Sequence, residues 1–165
     1  MARAEEARRR LGIEYVQDDA RTLVRMKDRW FDGASCSLAL TDIDELACVL
    51  AATARVLKPG GWFAVATLHP CFRTAPEAVV LGSCPGVHVR RYFEEGRWWS
   101  SNPERLLAPV GWHHRTLSTL LNLLLDAGFV LDRFVEPRGR EPATGRPVDE
   151  HVAEILAIRA CLPAG

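Results

Sequence analysis

Between residues 33 and 68 a small apolar run, an amphipathic helix and a second apolar run follow one another within about forty residues, and that order leaves little choice of fold. "GASCSLAL" (33–40) is small and apolar throughout, as a central parallel strand covered on both faces must be. Thr41 and Asp42 offer a helix cap, with Glu45 three residues after Asp42. Ile43, Leu46, Ala47, Leu50, Ala54 and Leu57 then follow helical spacing. Pro59 disfavours helical geometry at Lys58 and cannot donate a backbone bond, so the helix stops near Leu57. Pro59-Gly60 suits the central positions of a type II turn, and "WFAVATL" (62–68) is the second buried strand. The class is α/β, with a sheet at least partly parallel.

The flanks add elements of the same kind. Residues 2–11 read as a helix, with Ala4, Ala7 and Leu11 on one face, and "IEYVQ" (13–17) reads as a short strand running into Asp18-Asp19. Residues 20–31 suggest a short helix and a turn. "VRRYFEEGRWW" (89–99) has the form of a hairpin turning at Glu94-Glu95-Gly96. Leu117, Leu120, Leu121 and Leu124 mark a helix over 116–128, with Gly128 as its stop. "FVLDRFVEP" (129–137) and "EILAIRACL" (154–162) are closing strands, joined by a Pro/Gly/Arg loop over 137–147. Residues 70–112 hold five prolines, four glycines and three tryptophans, the composition of an inserted lid. One domain over 1–165 is expected, with 70–115 as lid or substrate insertion.

Composition narrows the partners. Twenty-one basic residues balance twenty-one acidic ones, so no global field favours nucleic acid or an anionic membrane. The aromatic–arginine mixture "RRYF…RWW" is weaker evidence for nucleic acid than that balance is against it. Five cysteines, three inside apolar runs, fit small buried thiols in a reducing compartment. No apolar run approaches the roughly 20 residues of a membrane span, and the first ten residues lack a signal-peptide core. A cytoplasmic protein is expected.

In open α/β sheets ligands bind beyond the carboxyl ends of the parallel strands. Three such ends here carry unusual residues: Asp18-Asp19, Thr41-Asp42 and His69-Pro70-Cys71-Phe72. "YVQDDARTL", then "FDGASCSLALTDIDELACVLAATARVLKPGGWFAVATLHPCF", then a late helix ending "AGF" and two closing strands resemble a class I S-adenosylmethionine-dependent methyltransferase, nearest its type 11-like small-molecule branch. The resemblance implies a Rossmann-like, mostly parallel sheet with a C-terminal antiparallel strand, S-adenosylmethionine as cofactor, and methyl transfer to a small molecule. It also implies that Asp19, with Ala20, meets the adenine amine and that Leu38, Ala39 and Leu40 line the methionine arm.

The chain departs from that family in having no G-x-G-x-G stretch and no acidic residue after a second strand. It is therefore expected to begin about one βαβ unit late, with the first two strands missing. Strand 33–40 would then be an exposed edge prone to self-association. A competing function is a catalytically inactive, methyltransferase-like module that binds a partner through that edge.

His69 is the candidate catalytic base, since histidine titrates near neutrality; its alternative is a polar group closing the pocket. Phe72, Tyr92, Trp98, Trp112 and His114 are candidate substrate-binding residues, or else a satellite core. Asp19 has an alternative as the cap of a helix over 20–28, a role open to Asp18 as well. His69, Cys71, Cys84 and His88 resemble zinc ligands, but only Pro70 separates the first two, and no metal site is assigned. Cys71 reads as a packing thiol.

Overall fold

The computed structural model describes residues 2–72, 89, 91–99, 111–138 and 152–165. Helix α1 (Ala2–Arg9) is followed by strand β1 (Phe31–Ser37), a 3-10 turn (Leu40–Asp42), helix α2 (Leu46–Val56) and strand β2 (Leu57–Leu68). Then come β3 (Gly96–Trp98), β4 (Trp112–His114), α3 (Leu117–Asp126), β5 (Val130–Val135) and β6 (Ile155–Cys161). The main sheet has the order β1-β2-β6-β5. β1 runs parallel to β2, and β6 runs antiparallel to both β2 and β5. Three strands thus point one way and the last strand opposes them, the arrangement the sequence suggests.

One face of the sheet carries the core. Phe63 and Val65 of β2 and Leu156, Ile158 and Ala160 of β6 are buried against Leu46, Val49 and Leu50 of α2 and Leu120 and Leu124 of α3. The period-2 alternation of β2 sends the intervening side chains of Trp62, Ala64 and Ala66 to the opposite face. With Ser35, Ser37, Ala157 and Arg159, the two alanines line a groove there.

Two glycines are fixed by this geometry. Gly60 has φ +76° inside β2, where the expected turn at Pro59-Gly60 is absorbed into the strand, and it faces the stretch over which the β1–β2 register slips between Phe31 and Gly33. A Cβ at Gly33 would lie 2.1 Å from the Trp62 ring, so the indole crosses β1 only where no side chain stands.

Several expectations need correcting. Residues 13–17 form no strand: among the described residues no strand lies beside them in a sheet, and Leu11, Ile13, Tyr15 and Val16 are exposed. Residues 20–31 form turns without a helix, held mainly by Arg55 of α2. Its guanidinium donates to the carbonyls of Thr22, Leu23 and Met26 and pairs with Asp28. β1 starts and ends earlier than 33–40, because Leu38 adopts a left-handed φ of +57° and breaks the strand. The capping box fails too: the tight turn at Leu40–Asp42 intervenes and Glu45 holds the N-cap with no side-chain bond. Last, the hairpin expected within 89–99 is formed by β3 and β4, with Gly96 opposite His114 and Trp98 opposite Trp112. Residues 91–95 turn back instead, as Arg91 pairs with Glu94 and the Trp98 indole donates to the Glu94 carbonyl.

Candidate active site

Where β1 and β2 end, the β3–β4 hairpin packs over the Leu40–Asp42 turn and a cleft remains between them. Leu40, Thr41, Thr67, Pro70, Trp112 and His113 line it, together with His114 and Arg115. The carboxyl rim of the parallel strands is where such a sheet binds ligands.

Arg115 holds the cleft's two walls together. It sits just before α3, and its guanidinium donates to the carbonyls of Leu40 at 3.2 Å, Ile43 at 2.5 Å and Asp44 at 2.6 Å. The Asp44 carbonyl also accepts from the Leu46 amide, and at the irregular backbone of 40–44 the arginine fork gathers three carbonyls at once. The N-terminus of α3 is equally well satisfied. Thr116 Oγ1 accepts from the Thr119 amide, Glu95 from the Thr116 amide and Tyr92 Oη from the Leu117 amide. Burial pushes the Glu95 carboxyl up, but hydrogen bonds from Thr119 and Thr116 outweigh it and hold the group below its ordinary range. Burial raises the Tyr92 phenol.

His69 is buried at the tip of β2. Its Nδ1 accepts from the Cys71 amide at 3.2 Å, which leaves the proton on Nε2, and Nε2 lies 2.7 Å from Glu136 Oε1 beyond β5. With both nitrogens engaged, the ring ties the ends of β2 and β5 together and offers no lone pair to an incoming proton. Of the two readings of His69, a catalytic base and a polar group closing the pocket, this geometry resembles the second. The turn also brings Phe72 onto the His69 ring, centroids 4.7 Å apart.

The remaining aromatic candidates fall into two sets. Tyr92 and Trp98 each meet the His114 ring edge-on, and His114 Nε2 donates to the Tyr92 carbonyl at 2.7 Å. Arg91 lies over the Trp98 ring, 4.1 Å from its centroid. These three behave as a small core under the hairpin, while Trp112 and one side of His114 face the cleft. The Cys71 thiol points to Tyr92 Oη at 3.9 Å, as a packing thiol would. Cys84 and His88 lie outside the described residues.

Asp19 and Ala20 are exposed and do not line the cleft. The Arg21 guanidinium and amide hold the Asp19 carboxyl down to about 2, and Arg21 also reaches Glu45 at 3.5 Å. That bridge brings the Asp19 turn to the start of α2, beside the rim. No helix follows Asp19, so neither aspartate is a helix cap; Asp18 instead accepts from the amides of Asp19 and Arg25.

Comparison with known proteins points to one fold. Residues 1–65 match the profile of the methyltransferase-domain family. A solved S-adenosylmethionine-dependent methyltransferase from Mesorhizobium loti is 28% identical and superposes with a TM-score of 0.78, over 97% of this chain and 74% of that one. The chain has the fold of the S-adenosylmethionine-dependent methyltransferases, and its first 65 residues resemble their family. A structure from Listeria monocytogenes, 24% identical with a TM-score of 0.76, covers 96% of this chain and 75% of its own, and speaks to the fold alone. A demethylmenaquinone methyltransferase from Renibacterium salmoninarum is 32% identical over 120 residues, 64% of this chain. The chain spans about half the length of that curated relative.

The cofactor of this family is S-adenosylmethionine, and the donor set here fits part of it. Asp19 is ionised and can accept from an exocyclic amine, provided that amine displaces Arg21. Leu38, 51% exposed because its left-handed backbone turns the side chain outward, offers an apolar surface at the strand end. Sequence reasoning missed Arg115, Thr67 and Glu136. An arginine beside a cap and a carboxylate ending a strand carry no periodic signal.

Proposed function

We propose that this chain methylates a small, flat, partly apolar acceptor held in the cleft beneath the β3–β4 hairpin. The observation that carries this reading is the position of the cleft at the carboxyl rim of β1 and β2, in a chain of methyltransferase fold and family resemblance. Leu38, Ala39 and Leu40 support the methionine arm of the cofactor, and Asp19 with Ala20 meets its adenine. When bound, the cofactor supplies a methyl group on a positively charged sulfur. What the chain contributes is orientation: Arg115 fixes the turn bearing Leu40, and the two walls exclude water.

Trp112 and Pro70 give the cleft apolar surfaces suited to a ring, while Thr41 and Thr67 offer hydroxyls to position its substituents. The name of the Renibacterium relative points to an acceptor of the quinone class. In this reading segment 70–115 is the lid: Trp112 and His114 face the acceptor, and Phe72, Tyr92 and Trp98 hold the cover in place. The protein works in the cytoplasm. Among the described residues no helix is long and apolar enough to cross a membrane. No observation favours an inactive module.

Calorimetric titration with S-adenosylhomocysteine tests the reading. Saturable micromolar binding, weakened about tenfold (about 1.4 kcal/mol) in Asp19→Asn, is expected. A folded chain that binds none would overturn it.

A further inference from the structure

We propose that His113 takes the proton from the methyl acceptor's nucleophile, with Asp44 orienting its ring. This rests on the methyltransferase reading and moves the base from the buried tip of β2 to the hairpin. His113 is in β4, lines the cleft, and has a side chain only 10% exposed. Its Nδ1 lies 3.6 Å from Asp44 Oδ1, and Asp44 in turn follows the turn that Arg115 holds. Among the described residues no hydrogen bond engages Nε2, whereas both nitrogens of His69 are engaged and His114 Nε2 is taken by the Tyr92 carbonyl. A carboxylate behind one nitrogen and a cleft before the other is the geometry of an oriented general base.

The groups facing the ring set its charge. Burial lowers the His113 pKa below its ordinary value. Asp44 and Asp42 act upward, and Arg115 and Arg97 act downward. The imidazole is therefore neutral, and able to accept, at neutral pH. In the step, an O–H or N–H of the acceptor gives its proton to Nε2, forming an imidazolium opposite the Asp44 carboxylate. The nucleophile's electron pair forms the new bond to the methyl carbon, the S–C bonding pair stays on sulfur, and the imidazolium then loses its proton to water.

The probe is 4-nitrophenol, whose ionisation is visible in its absorbance, added to the full chain with S-adenosylhomocysteine. The apparent pKa of the bound phenol is expected to fall by at least about one unit, a tenfold shift in the ionised fraction. In His113→Gln the phenol binds with its ordinary ionisation. Because His113→Gln could perturb the hairpin, Asp44→Asn, altered at an exposed carboxylate, provides a second readout and gives a smaller shift of the same sign. Equal ionisation in all three proteins, or no binding of the phenol by the unaltered chain, overturns the proposal. Failure to bind S-adenosylhomocysteine overturns the methyltransferase reading instead, so the two failures are told apart.

Discussion

Single side chains hold this site together. Arg55 and Arg115 do the same job at two places, gathering carbonyls from irregular backbone that no ladder satisfies. Lysine cannot copy that fork. Arg115→Lys is expected to lose about 1–3 kcal/mol of stability, and to weaken S-adenosylhomocysteine because Leu40 is released; thermal unfolding and calorimetry check the two parts. For His69, replacement by Ala removes a buried ring and orphans the Cys71 amide. A loss of about 2–4 kcal/mol is expected in denaturant unfolding. Glu136→Gln retains an acceptor for Nε2–H and should cost far less. His113 contributes the pH dependence. Its folded pKa is lowered, so between that value and the unfolded value the unfolded chain binds more protons. Stability therefore falls as pH drops below about 6.5, and His113→Gln should flatten that part of the curve.

At the scale of elements, the β1–β2 pair tolerates little change. Gly33→Ala puts a carbon inside the Trp62 ring, so the indole must leave its place across β1. The expected result is a drop in melting temperature, relieved when Trp62 is also made small; additivity of the two changes would refute the contact. Leu124, fully buried on α3, should cost about 2–5 kcal/mol as Leu124→Ala in an equilibrium unfolding curve. These elements were also the easiest to see in advance. The α2 and α3 stripes and the stops at Pro59 and Gly128 are local patterns, and each appears within a few residues of its expected place; β2, expected to be buried on both faces, instead alternates between buried and part-exposed residues. Where local pattern failed, a distant partner decided. Residues 13–17 alternate like a strand but join no sheet among the described residues, and β3 prefers β4 to its own sequence neighbours.

On the whole molecule, β1 is the edge of the main sheet among the described residues, with Ser35 and Ser37 exposed. An uncovered edge is a template for another chain. Sedimentation of the 165-residue chain is expected to show concentration-dependent self-association, reduced in Ser35→Lys. A monodisperse monomer at every concentration would refute it.

Sequence by itself determined the βαβ core, because hydrophobic period and turn chemistry are local; the reversed last strand is expected only through the family resemblance. The tertiary structure alone separated the three histidines. His69, His113 and His114 carry the same chemistry in sequence. Their roles separate because folding places Glu136 beside the first, the Tyr92 carbonyl beside the last, and an open cleft beside His113.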